Sequence, residues 1–218
     1  MSARQRPLLL GHRGARAVKT IPENTVASFD RCLADGCDGF EFDVRLTADG
    51  EAVVCHDPQF QGVEISRTSA AQLAGLTRLE EVIARYHERA FLDVELKVVG
   101  LEKIVAALLT KYPPLRGLVV SSFLPQALQS IRAEDDKIPL GLICEKRKEI
   151  AAWSQLDVDY IILQYRILDW VTMKRFQRLG KKIFVWTINA GEQIREYAEW
   201  GVDGIISDDA RLLTQTLS

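Results

Sequence analysis

The sequence predicts an α/β barrel, the (β/α)8 fold in which eight parallel strands are each followed by an outer helix. Three observations predict it. Short apolar runs alternate with amphipathic stretches along almost the whole chain, the pattern of a parallel sheet with helices packed outside it. So many strand–helix units within 218 residues match a closed barrel in one domain spanning 1–218. Histidines and carboxylates stand at the C-terminal ends of the apolar runs, where barrels of this kind gather their active sites.

Taken in order, residues 8–11 read as a buried strand. Residues 24–35 read as a helix, with Val26, Phe29 and Leu33 on one stripe and Gly36 as its stop. Strands follow at 39–43 and 52–56, joined through Asp49-Gly50, a hairpin turn pair. A helix at 79–89 precedes a strand at 91–97 and its helix at 101–112. Later strands fall at 118–121, 139–144, 160–163, 183–187 and 204–206. Helices at 125–133, 146–154, 169–179, 192–200 and 209–217 separate or follow them. That makes nine strand candidates for eight places. The stretch 52–56 is the expected extra, because a parallel crossover needs about a dozen residues and only a tight turn precedes it. An open doubly wound sheet is the alternative architecture, but no G-x-G-x-x-G loop follows the first strand.

Composition narrows the function classes. The chain is 47% hydrophobic and 27% charged, with 28 basic residues against 30 acidic, which is ordinary for a globular protein. A net charge of -2 gives no reason to expect a nucleic-acid partner. No apolar run is long enough to span a bilayer, and the apolar stretch behind Arg4 and Arg6 is too short for a signal peptide. A cytoplasmic protein is expected. Cys32, Cys37, Cys55 and Cys144 have no zinc spacing and read as buried free thiols. Trp153, Trp170 and Trp200 fall on helices, where outer-layer packing is the commoner role and an interface the other.

The candidate chemistry sits at the strand ends. His12-Arg13 ends the first strand, Glu41 and Asp43 the second, His56-Asp57 the hairpin strand, and Glu95 and Lys97 the strand at 91–97. Residues two apart on a strand share a face, so Glu41 and Asp43 point the same way, as do Glu95 and Lys97. Three converging carboxylates repel by about 4 kcal/mol per pair at ~4 Å in a protein-like dielectric. A divalent cation removes that penalty, and oxygen ligands suit Mg2+ or Ca2+ better than zinc. The plainer alternative is that the acids are solvated strand ends or pair with Arg13 and Lys97. His12 and His56 titrate near neutrality and supply an acid and a base. Arg13 and Lys97 offer a fork and a compact positive charge for phosphate oxygens. Trp186 is either a flat substrate wall or a core residue. Asp57 either orients His56 or caps the loop before Pro58.

These residues fall in a pattern that resembles the glycerophosphodiester phosphodiesterases. It runs through Gly11-His12-Arg13-Gly14, Pro22-Glu23-Asn24-Thr25, Glu41-Phe42-Asp43-Val44, Val53-Val54-Cys55-His56-Asp57 and Glu95-Leu96-Lys97. Downstream, Val185-Trp186-Thr187-Ile188-Asn189 and the run from Gly201 to Asp208 also fit. The resemblance implies a TIM barrel with a divalent metal on Glu41, Asp43 and Glu95, and His12 and His56 as acid and base. It also implies Arg13 and Lys97 on the phosphate. Implied substrates are deacylated phospholipids such as glycerophosphocholine or glycerophosphoethanolamine, cleaved to glycerol 3-phosphate and an alcohol. The chain departs from the pattern in a shortened insertion after His56-Asp57, in Ser207 where the family tends to have Thr, and in Ala210 where it tends to have Pro.

Two other readings share the scaffold. A lysophospholipase D would need an apolar groove, with 60–76 as the candidate wall. A non-catalytic phosphate-binding module would be expected to have lost one of His12, His56, Glu41, Asp43 or Glu95, and all five are present. A zinc amidohydrolase would want His-x-His after the first strand, where this chain has His12-Arg13.

Overall fold

The computed structural model describes residues 6–217; Arg4 of the N-terminal stretch lies outside them. Eight parallel strands close into a barrel: β1 (Leu8–His12), β2 (Gly39–Leu46), β6 (Phe91–Leu96), β7 (Leu118–Ser122), β8 (Leu140–Cys144), β9 (Tyr160–Gln164), β10 (Lys182–Trp186) and β11 (Gly204–Ser207). β1 pairs with β11 on one side and β2 on the other, which seals the ring. The ninth candidate is β3 (Ala52–Val54), and it stays outside the barrel as expected. β2 is longer than β1, which ends opposite Glu41. β3 runs antiparallel along the part of β2 beyond that point, with Val44 opposite Val54 and Leu46 opposite Ala52. It ends at Val54 rather than at 56, and the chain then turns His56 back toward the barrel mouth.

Among the described residues seven α-helices alternate with these strands: α1 (Val26–Ala34), α2 (Leu79–Tyr86), α3 (Glu102–Lys111), α4 (Pro125–Glu134), α5 (Trp170–Arg178), α6 (Gly191–Trp200) and α7 (Ala210–Thr216). Capping fixes several starts. Thr25, Asp169 and Asp209 each accept a hydrogen bond from a backbone N–H in the first turn of α1, α5 and α7, satisfying donors that no helical carbonyl can reach. These caps trim the expected helices by one or two residues at each end. The segment expected as a helix at 146–154 is instead a 3-10 stretch, Arg147–Gln155, with no buried residue. Without a buried apolar face, little stabilises a regular α-helix there. Trp153 stands on this stretch, edge-on to Phe176 of α5.

The core has two shells. Inside the barrel, Leu10, Phe91, Val119, Ile143, Tyr160, Ile162, Phe184 and Ile206 fill the space. Gly204 leaves room for Phe184, whose ring atoms lie 2.6 Å from where a Cβ would stand. The larger shell packs the outward strand faces against the helices, with Phe29, Phe40, Phe42 and Tyr86 forming an aromatic group. The stretch after His56 carries a two-residue hairpin, β4 (Gln59–Phe60) and β5 (Val63–Glu64), and two 3-10 turns before α2. Its apolar residues Ile65 and Leu73 are buried with Val53 in a small core of their own, while Phe60 and Leu76 are half-buried and border a groove beside His56. Cys32, Cys37 and Cys144 are buried free thiols as expected. Cys55 is also free but only half-buried, because β3 has already ended before it.

Candidate active site

The turn after β1 sets the site. Gly11 permits it: a Cβ there would stand 2.3 Å from the Gly14 carbonyl oxygen and 2.4 Å from Cys32 Sγ. Arg13 takes φ 53° and Gly14 φ 82°, a left-handed pair that reverses the chain directly above the barrel. His12 therefore faces inward. Its Nδ1 lies 2.7 Å from Asp208 Oδ1, and its Nε2 lies 3.8 Å from Glu41 Oε2. A carboxylate at Nδ1 favours the tautomer that carries its proton there and leaves Nε2 as an acceptor. Burial pulls the His12 pKa down, and Asp208 only partly restores it.

Asp208 follows β11 and is itself held, by Asn189 Nδ2 at 2.7 Å and Arg16 Nη1 at 3.1 Å. Burial pushes its pKa up, but the hydrogen bonds from His12, Asn189 and Arg16 outweigh that and hold it well below the usual carboxylate range.

Glu41 and Asp43 share one face of β2, and the register sets Asp43 beside Glu95 on β6. Oxygen atoms from all three lie within 4.8 Å of one another, and all three residues are buried. Burial first, then the charge of Asp43, drives Glu41 well above the carboxylate range and Glu95 up to about 7. Asn24 Nδ2 donates to Asp43 Oδ2 at 2.8 Å, and the Arg13 backbone N–H donates to Glu41 Oε2 at 3.1 Å. Yet among the described residues Glu41 Oε1 and Asp43 Oδ1 have no hydrogen-bond partner, Asp43 Oδ1 meeting only the Lys97 ammonium at 3.4 Å. Buried oxygens left open in an all-oxygen donor set fit a hard divalent cation.

The two expected phosphate-binding cations are also in place, though engaged with acids. Arg13 pairs with Glu23 at 2.6 Å and reaches Asp43 Oδ2 with Nε at 3.2 Å. Lys97 Nζ lies 2.5 Å from Glu95 Oε1 and 3.4 Å from Asp43 Oδ1. Both line a cavity of about 250 Å³ together with His12, His56, Glu41 and Glu95. His56 stands at its rim, with Nδ1 2.7 Å from Asp57 Oδ1. The Arg45 guanidinium donates to the His56 carbonyl and fixes this turn. Trp186 forms part of the opposite wall, edge-on to Phe123 at 5.6 Å. Seven of the eight expected residues thus border one cavity, and the eighth, Asp43, lies behind Glu41 and Glu95 in the acid cluster.

Sequence reasoning gave no role to several neighbours. Asp93 is one: fully buried on β6 facing the cavity, held by Ser121 Oγ at 2.5 Å, and pushed by burial up to about 7. Its spacing two before Glu95 was the available signal. Asn24, with φ 58°, and Asp208 lie inside quoted motifs, but their contacts cross the fold. Ser122-Phe123, at the end of β7, also fits the family pattern, but nothing local to the sequence sets the Phe123 ring against Trp186.

The geometry agrees with what this chain is similar to. The glycerophosphoryl diester phosphodiesterase family model matches residues 12–107 and 87–212. A glycerophosphodiester phosphodiesterase of Caldanaerobacter subterraneus subsp. tengcongensis is 28% identical, over 94% of this chain and 96% of that protein. The solved structure of a glycerophosphodiester phosphodiesterase from Thermotoga maritima superposes with a TM-score of 0.84 at 25% identity, over 98% of this chain and 99% of that one. An Oleispira antarctica phosphodiesterase, solved with the product sn-glycerol-3-phosphate, shares the fold with a TM-score of 0.86 at 24% identity, over 97% of each chain. With the matched stretches running from His12 through every candidate residue to beyond Asp208, the chain belongs to the glycerophosphoryl diester phosphodiesterase family.

Proposed function

We propose that this chain, as one domain over 1–218, hydrolyses glycerophosphodiesters such as glycerophosphocholine or glycerophosphoethanolamine to glycerol 3-phosphate and an alcohol. The observation that carries the reading is the trio Glu41, Asp43 and Glu95, buried within 4.8 Å with two oxygens that accept no hydrogen bond among the described residues, beside two histidines each backed by a carboxylate. The product held by the Oleispira antarctica relative supports the choice of substrate.

The three acids would hold one Mg2+ or Ca2+, which when bound polarises a phosphate oxygen as a Lewis acid. Arg13 and Lys97, which line the same cavity, bind the remaining phosphate oxygens. His12 Nε2 takes the proton of the glycerol 2-hydroxyl, with Asp208 steadying the resulting imidazolium. That oxygen attacks phosphorus, the bond to the alcohol oxygen breaks, and His56 delivers a proton to the leaving alcohol. Water then opens the cyclic glycerol phosphate to glycerol 3-phosphate, with the histidine roles reversed. The intramolecular attack needs no ordered nucleophilic water. His12 is assigned as base because burial favours its neutral form, and His56 as acid because it stands at the rim, where an alcohol can leave. Trp186 forms the flat wall along the substrate. The free thiols suit a reducing, cytoplasmic setting, and the slight negative charge suits a small-molecule substrate rather than nucleic acid.

The test is release of glycerol 3-phosphate from glycerophosphocholine with Mg2+, with Ca2+ and with chelator, for the wild type and Glu41→Ala. Release that needs metal and disappears in the variant is the expected result. Metal-independent release, or full activity of the variant, would overturn the metal assignment. No release under any metal would overturn the substrate.

A further inference from the structure

We propose that one arc of the barrel rim docks on an anionic lipid bilayer. In this fold the loops after the strands and the N-termini of the following helices share the face that holds the active site. Strands β6, β7, β8 and β9 are consecutive neighbours in the ring, so the segments leaving them form one continuous arc of that face.

The apolar content of this arc is unusual. Val99 follows β6, Leu124 follows β7, and Trp170 and Val171 open α5 behind β9. They are 46%, 39%, 46% and 76% exposed. Among the described residues only three other large apolar side chains are comparably exposed, namely Val63, Leu115 and Leu179. Leu115 and Leu179 lie at the opposite end of the barrel, just after α3 and α5 have run down it. Exposed aliphatic and aromatic residues on one rim mark an interaction surface, and tryptophan is the residue that favours the boundary of a bilayer.

Charge on the same arc selects the partner. Between Leu124 and Trp170 stand Lys146, Arg147 and Lys148, all exposed, and then Arg166. Lys174 lies over the Trp170 ring at 4.4 Å. The facing acids are Glu145, Glu149 and Asp169, with Glu102 beside Val99, where it accepts the Gly100 backbone N–H. Two others also serve the fold: Glu149 accepts the backbone N–H groups of Glu145 and Lys146, and Asp169 caps α5 and pairs with Arg147. The surplus is positive, on a chain whose net charge is -2. A basic patch interleaved with Trp and Val complements an anionic headgroup layer with an apolar interior. The cavity adds continuity, since its apolar wall, Phe123, Ile143 and Ile162, rises from the same strands β7 to β9. Docking would set the mouth of the site beside the membrane from which deacylated lipids are released. That last consequence rests on the function proposed above; the docking itself does not.

The test is co-sedimentation of the full chain with vesicles of equal parts phosphatidylcholine and phosphatidylglycerol, and with pure phosphatidylcholine vesicles, at low and high salt. The expected result is binding to the mixed vesicles only, weakened by salt. Lys146→Glu/Lys148→Glu and Trp170→Ala/Val171→Ser should each lower the partition coefficient about tenfold or more. Both should leave turnover of soluble glycerophosphocholine unchanged, which also reports that they fold. Binding is read without turnover, so an inactive but binding protein would overturn the proposed substrate and not the docking. Wild type that stays with neither vesicle, or variants that bind as well as wild type, would overturn the docking.

Discussion

His12 and Asp208 are 196 positions apart in the chain and 2.7 Å apart in the fold, Nδ1 to Oδ1. The contact exists because β11 closes the barrel against β1, with Gly11 opposite Ser207. Asp208→Asn keeps the shape but reverses what can face Nδ1, so it disturbs the tautomer that leaves Nε2 free. We expect kcat to fall on the order of 10²-fold or more with KM little changed. Steady-state kinetics checks this, and an unaltered kcat would leave Asp208 with a structural role only.

The same carboxylate ties stability to acid. Its folded pKa is depressed, against the push of burial, by its hydrogen bonds from His12, Asn189 and Arg16. A depressed acid contributes stability that is present above its unfolded pKa and is lost as pH falls through the folded value. Urea midpoints of the wild type should therefore drop steeply below about pH 4, the unfolded value. Asp208→Asn should show a shallower decline in that window. Parallel curves would mean that other carboxylates dominate the acid limb.

Glu41 has the opposite sign. Burial and the neighbouring acids raise its pKa, so its ionisation opposes folding. The penalty is absent below its unfolded pKa and grows as pH rises toward the folded one. In chelator at neutral pH, Glu41→Gln should melt higher than wild type, by about 2–4 °C for each kcal/mol relieved in a chain of this size. Adding Mg2+ or Ca2+ should raise the wild type by mass action and the variant much less. A calorimeter reads both. A variant that gained as much from the cation as wild type would remove Glu41 from the ligand set.

What the sequence revealed was set by local rules, and what it hid was set by closure. Glu41 and Asp43 could be placed on one face because strand periodicity is local, and β3 could be set aside because Asp49-Gly50 marks a tight turn. The Arg147–Gln155 segment misled because its hydrophobic spacing resembles a helix, while burial that only the folded chain reveals is missing. The Asp208 and Asn24 contacts were hidden because each joins segments that meet only when the ring closes or the β1 turn folds over β2. Pairing of the acids with Arg13 and Lys97 was legible as the plainer alternative, but which acid each cation meets depends on side-chain packing around Asp43.

Lys97 balances part of the acid cluster, with Nζ 2.5 Å from Glu95 Oε1 and 3.4 Å from Asp43 Oδ1. Lys97→Met keeps the apolar stem and deletes the charge. Removing one partner of a buried pair leaves the other uncompensated, at about 3–5 kcal/mol. In chelator the variant should unfold at clearly lower urea than wild type. A divalent cation should narrow that gap if it binds the same acids. A gap of equal size with and without cation would separate the Lys97 pairing from the metal site.

The acids also depend on an apolar brace. Phe40 and Phe42 flank Glu41 on the outer face of β2, and Phe29 of α1 stacks on Phe40 with centroids 4.2 Å apart and planes 7° apart. Tyr86 of α2 meets Phe40 edge-on at 4.9 Å. Phe29 is fully buried, so Phe29→Ala should cost about 3–5 kcal/mol, from lost transfer energy and the cavity it leaves. Phe29→Leu, closer in volume, should cost less because the residual cavity is smaller. Because α1 is what holds the outer face of β2, the alanine variant should also bind the cation more weakly, even in the fraction that remains folded. Denaturation midpoints measure the first effect and calorimetric titration with Mg2+ the second. A large loss of stability with unchanged cation affinity would show that β2 keeps its register without the stack, and that the ring of strands alone positions Glu41 and Asp43.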